Sequence, residues 1–77
     1  MKFKAVKTIL TTAQENEQYG EISLRSGSYY TFSFREGGNH KPDIIEYNSD
    51  MEVILMLKYA PDVSYIDCEA IESIVVY

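Results

Sequence analysis

The side chains able to carry chemistry are few and scattered. There is one histidine, His40, and one cysteine, Cys68. A transition-metal site draws on several imidazole or thiolate ligands at set spacing, and neither residue has a second of its kind, so no metal is expected. His40 sits in Gly37-Gly38-Asn39-His40-Lys41-Pro42, a loop sequence in which a solvated imidazole is expected. A Ser–His–Asp relay can be drawn on paper around His40, but no nucleophile elbow or glycine-built oxyanion hole accompanies it. Gly37-Gly38 lacks the Lys-Ser/Thr that completes a phosphate loop. Cys68 lies between Asp67 and Glu69, neighbours that disfavour a thiolate. It reads as a half-buried small hydrophobe, and a lone cysteine suits a reducing compartment.

The densest ionisable group is acidic: Asp67, Glu69 and Glu72. On a strand Asp67 and Glu69 would share a face, where they could hold a divalent cation or pass a proton. A solvated acidic rim is the simpler reading, since no cleft is implied. No catalytic residue and no cofactor is therefore expected, and the chain reads as non-enzymatic. Charge is uneven. Residues 1–41 carry six Lys/Arg and four Asp/Glu, whereas residues 42–77 carry one Lys and eight Asp/Glu. The acidic half would repel nucleic acid and suits a basic protein partner. A small inhibitor that presents carboxylates in place of phosphates to a nucleic-acid-binding protein is one form of this. Seven tyrosines are too many for so small a core, and tyrosine is enriched at interfaces. Tyr29, opposite in phase to Tyr30 and Phe32, is expected on the surface. The candidate partner-binding residues are Asp67, Glu69, Glu72, Tyr29 and Tyr65.

At 77 residues the chain has room for one domain spanning residues 1–77, burying about 60% of its unfolded surface. The longest apolar run, Val53 to Leu57, is far short of the roughly 18 residues of a membrane span. No apolar block of signal-peptide length follows Lys2, Lys4 and Lys7, so no membrane partner and a cytoplasmic location are expected. Residues 3–13 are ambiguous. Phe3, Val6, Ile9/Leu10 and Ala13 fall on one helical face. The lysines at the start and Glu15 and Glu17 at the end oppose a helix macrodipole, and Thr8, Ile9, Thr11 and Thr12 lean towards a strand. Ile22 and Leu24, a Ser26-Gly27-Ser28 turn, and alternating Tyr30, Phe32 and Phe34 predict a hairpin. Gly37 to Asp43 reads as a loop and Ile44 to Tyr47 as a short strand.

Residues 49–60 allow two readings. Ser49-Asp50-Met51-Glu52 resembles a capping box, with Pro61 as a stop, which would give an α+β fold with a helix at about 50–60 packed on an antiparallel sheet. The alternative, favoured here, is a buried strand from Glu52 to Tyr59 turning at Ala60-Pro61-Asp62. The extended segments at Val63 to Ile66 and Ile71 to Val76 need a paired strand, and the preceding run is the nearest one. The predicted class is mainly β, a small and strongly bent antiparallel sheet with room for an N-terminal helix.

The run Tyr65-Ile66-Asp67-Cys68-Glu69-Ala70-Ile71-Glu72-Ser73-Ile74-Val75-Val76 resembles the second conserved block of the Sm/LSm family, in which a strand ends in a short turn and resumes with isoleucines three apart. Ile22-Ser23-Leu24-Arg25-Ser26-Gly27 is similar to the start of that family's first block, and Tyr47 to Leu55 to its end. The resemblance implies an SH3-like/Sm-like barrel of five strands, often assembled into a homo-oligomeric ring through exposed strand edges. The family's RNA-base pocket uses an aspartate, an asparagine and an Arg-Gly pair. Those positions hold Asn48, Glu52, Asp67 and Cys68 here, which removes a cation and a glycine, so the RNA site does not carry over. An RNA binder with an altered pocket would have to use Lys2, Lys4, Lys7, Arg25, Arg35 and Lys41.

Overall fold

A computed structural model describes residues 1–57 and 63–77. Helix α1 (Phe3–Glu15) is followed by strands β1 (Tyr19–Leu24), β2 (Tyr29–Ser33), β3 (Ile44–Asn48), β4 (Val53–Leu57) and β5 (Val63–Asp67). A one-turn 3-10 helix (Cys68–Ala70) then leads into β6 (Ile71–Val76). The strands form two three-stranded antiparallel sheets, ordered β2-β1-β6 and β3-β4-β5. One cluster of buried side chains joins both sheets to α1.

The ambiguous residues 3–13 are helical. Lys2 caps α1 without a side-chain hydrogen bond, no acid stands in its first turn and no base in its last. Such unfavourable dipole contacts cost about 0.3–1 kcal/mol each. Against them stand Val6, Leu10 and Ala13, buried at 0–1% exposure, and burying a side chain of Val or Leu size stabilises by about 1.5–3 kcal/mol. Packing therefore outweighs the terminal charges. The helix closes at Asn16, Glu17 takes a left-handed conformation (φ 51°), and Gln18 N–H donates to the Ala13 carbonyl at 2.9 Å.

In the first sheet the expected hairpin forms. Leu24 N–H donates to the Ser28 carbonyl at 2.8 Å, with Gly27 at φ +96° in the turn. Tyr29 faces outward and Phe32 inward; Phe34 lies beyond the end of β2 yet is still buried. The other neighbour of β1 is β6, in the register Gly20–Val76, Ile22–Ile74 and Ser23–Ser73. The register then shifts so that Leu24 meets Ile71. Glu72 is the extra residue of that bulge. The expected pairing of the last third of the chain is thus half met: β5 lies beside β4, but the partner of β6 is β1.

In the second sheet, Ile45–Met56 and Tyr47–Ile54–Ile66 face the core in register. Ile54 and Met56 are fully buried between two hydrogen-bonded neighbours, which excludes the alternative of a helix at 50–60 wherever that segment is described. The residues resembling a capping box form the β3–β4 turn instead. Asn48 Oδ1 accepts Met51 N–H at 3.1 Å, and Glu52 turns left-handed at φ 53°. The strand expected from Glu52 to Tyr59 runs from Val53 to Leu57 among the described residues. Lys58, Tyr59 and the turn expected at Ala60-Pro61-Asp62 lie outside them. Two separate hydrogen-bonded sheets stand where one bent sheet was expected.

Two anchors position the surfaces. Asp43, 8% exposed, ties the base of the 34–43 loop to β2: its Oδ2 accepts Ser33 N–H and its own N–H donates to the Ser33 carbonyl, both at 2.9 Å. At the other end the Met1 ammonium donates to the carbonyls of Cys68 (2.9 Å) and Ile71 (2.8 Å), holding α1 against the 3-10 turn.

Candidate interaction site

Every residue of β4 is apolar, so this strand presents hydrophobic side chains on both faces. The outward row Ile44–Leu57–Val63 crosses all three strands, and Glu46–Leu55–Tyr65 and Asn48–Val53–Asp67 lie beside it. Ile44 is 56% exposed, Val63 45% and Tyr65 72%. Leu55, Leu57 and Val53 between them are half-buried. The result is a continuous apolar strip, with carboxylates at Glu46 and Asp67 and no Lys or Arg in any of the three strands. Contiguous exposed apolar surface with a polar rim is characteristic of protein-binding faces.

The five expected partner-binding residues do not make one site. Tyr65 and Asp67 belong to this face. Tyr29, 63% exposed, is on the outer side of the other sheet. Glu69 is on the 3-10 turn and Glu72 in the β6 bulge, both exposed. Asp67 and Glu69 do not share a strand face, because Asp67 ends β5 and its Oδ1 accepts Glu69 N–H at 2.9 Å, capping the turn. Ile44, Leu57 and Val63 were missed by sequence reasoning. The signal was present in the unbroken Val53–Leu57 run, which cannot turn all its side chains inward from one strand.

A second concave surface lies on the first sheet. Tyr19 and Tyr77 stack with ring centroids 5.3 Å apart, and the Arg35 guanidinium sits 4.4 Å from the Tyr19 centroid. Together with Thr31 and the His40–Lys41 segment they line an open groove of about 860 Å³. His40 is exposed, as expected, and is one wall of this groove. The other cations among the described residues lie elsewhere: Lys2, Lys4 and Lys7 on and beside α1, and Arg25 near Glu52 and Glu69.

The positions set against the Sm/LSm pocket by resemblance take part in local structure here. Asn48 and Asp67 accept turn N–H groups. Cys68 is fully buried rather than half-buried, because the 3-10 turn points it into the core. Burial lifts its thiol above the ordinary value of 9.0; the Asp67 carboxylate adds to the rise, the Met1 ammonium opposes it, and Glu52 adds to it again. Burial likewise lifts Tyr47 above 10.0, moderated by Thr11 on α1, although no hydrogen bond of good geometry reaches its buried hydroxyl. Phe3 meets the Tyr47 ring edge-on at 6.3 Å.

Both groups keep their protons longer in the folded than in the unfolded state, so the stability they confer is complete below pH about 9 and declines as pH rises. Urea midpoints are expected to be flat towards neutral pH and to fall above pH about 9, with Cys68→Ala delaying the onset towards the tyrosine range. Cys68 is expected to resist thiol reagents at neutral pH until the protein unfolds. Labelling at the rate of a free cysteine would contradict its placement.

Compared with known proteins, the chain matches no family model, no curated protein and no solved structure.

Proposed function

We propose that the protein is a non-enzymatic interaction module that captures a basic protein partner on the outer face of β3-β4-β5. The observation that carries this reading is the Ile44–Leu57–Val63 row with Tyr65 beside it, exposed on strands that hold acids and no cation. Apolar residues and tyrosine supply contact area, while Glu46 and Asp67 select for positive charge and speed encounter. An inhibitor of a nucleic-acid-binding protein, with carboxylates standing in for phosphates, is the form of regulation this chemistry fits. The 3-10 turn between β5 and β6 fits the strand–turn–strand block of an SH3-like/Sm-like scaffold, although six strands in two sheets replace its single five-stranded sheet.

Capture from native lysate by immobilised wild-type protein, compared with Ile44→Asp and Tyr65→Asp variants, tests the reading. A residue central to such a face contributes about 2 kcal/mol or more, so capture should fall roughly 30-fold while thermal stability stays near wild type. Glu46→Lys should weaken the same capture and make it less sensitive to salt. Glu46 is the better choice for charge reversal because Asp67 also caps the 3-10 turn. Undiminished capture by all three variants would refute the face.

A second reading, self-association, is favoured by the strand edges. Among the described strands β5 pairs only with β4 and β6 only with β1, leaving one ladder side of each open. Light scattering at high concentration should then give a multiple of the chain mass, and a monomer would remove this reading.

A further inference from the structure

The groove on the first sheet differs in chemistry from the proposed docking face, and the proposed function does not use it. Its floor is aromatic. Tyr19 and Tyr77 stack at 5.3 Å with 27° between their ring planes, and Tyr77 is held by its N–H donating to the Tyr19 carbonyl at 2.8 Å. Tyr77 nevertheless remains 57% exposed, so ring surface is left for a further planar group. Arg35, 4.4 Å from the Tyr19 centroid, adds a planar cation to the same stack. The opposite wall is the loop bearing His40 and Lys41.

That loop is built to keep its shape. The paired 2.9 Å bonds between Asp43 and Ser33 close its base. Its tip is closed by Gly37 and His40, whose N–H groups each donate to the other's carbonyl, at 3.3 and 2.9 Å. Phe34, at the start of the loop, is buried and meets Phe32 at 5.2 Å with the rings tilted by 42°. Asp43 also lines the groove, with its Oδ2 accepting the Ser33 N–H. Glu21, half-buried on β1 in the groove lining, provides an acceptor for an amino group.

A flat aromatic floor with cations beside it suits a flat aromatic ligand joined to an anion. We infer that this groove binds a nucleotide, its base stacked on the Tyr19–Tyr77 pair and its phosphate facing Arg35 and His40. Aromatic stacking with an adjacent guanidinium is how single-stranded bases are held without sequence readout, and about 860 Å³ lies within the usual range of ligand pockets. A free mononucleotide and a nucleotide within a single strand share this chemistry. The openness of the groove admits both.

Amide NMR of the full chain at low salt, titrated separately with AMP, inorganic phosphate and a short oligoadenylate, provides the test. The expected result is a saturable shift of Thr31, Arg35, His40 and Tyr77 with AMP that phosphate alone does not reproduce. A strand binding at least about tenfold tighter than AMP would identify single strands as the source of the ligand, and equal affinity would identify the free nucleotide; both uphold the site. Tyr77→Ala and Arg35→Ala should each weaken binding by about tenfold with an unchanged melting temperature, whereas Lys4→Ala on α1 should have no effect. The proposal is overturned by no shift at millimolar AMP or oligonucleotide, by equal shifts with phosphate alone, or by shifts centred on Lys2, Lys4 and Lys7. These outcomes leave the docking face on the other sheet untouched.

Discussion

Gly20→Ala is expected to remove a large part of the protein's stability. Gly20 lies in β1, the central strand of its sheet, opposite Phe32 on one side and Val76 on the other. A Cβ there would run into the backbone carbonyl oxygen of Val75 and approach the Phe32 ring to 2.9 Å. A flexible side chain can rotate away from such a contact, but a backbone carbonyl within a ladder cannot. The methyl group must therefore push β6 away from β1. Overpacking of this kind usually costs about 1–3 kcal/mol, and more where backbone must move; here more than about 3 kcal/mol is expected. A domain of this length has roughly 4–12 kcal/mol in total, so the loss is a large part of the whole. Urea denaturation followed by circular dichroism measures it. Gly37→Ala is the matched control, because no atom lies within 4 Å of its added Cβ, and a change within about 0.5 kcal/mol is expected. A Gly20→Ala midpoint equal to wild type would show that β1 and β6 do not approach as described.

Leu10→Ala should destabilise by about 2–5 kcal/mol, the range for a fully buried leucine. Leu10 has no exposed surface and shares the core with Ile54, Met56, Ile66 and Ile71 from both sheets. If α1 were an accessory laid on a self-sufficient β domain, the cost would be small. A large effect makes the helix a structural wall of the core. Thr12→Ala, on the exposed side of α1, should change stability by less than about 0.5 kcal/mol. Both variants introduce alanine, the best helix former, so the contrast between them isolates the loss of packing.

Much of the local structure could be read from residue order. Alternation through Tyr29-Tyr30-Thr31-Phe32 placed Tyr29 outside and Phe32 inside, because a strand repeats every two residues. The polar break between Ile66 and Ile71 marked the end of one strand and the start of another. The concentration of acid in residues 42–77 agrees with strands β3, β4 and β5, which among the described residues hold acids and no cation. Short windows failed where two periods fit equally well. Residues 3–13 satisfy a helical repeat while carrying charges and β-branched residues that argue against it, and only the burial of Val6, Leu10 and Ala13 decided between them. Residues 49–57 carry a helix-start pattern, but Ile54 and Met56 are stabilised as a central strand by neighbours on both sides.

The candidate surfaces divide along the same line. Composition and order along the chain determined which chemistry was available: acids, tyrosines, a lone histidine and a lone cysteine. Tertiary structure alone decided which of these side chains meet, because β6 pairs with β1 from the far end of the chain, and that pairing sets Tyr77 on Tyr19. The physical reason is range. Local propensities act over a few residues, whereas strand pairing and core burial join residues that chain order keeps apart, and those long-range contacts supply most of the free energy.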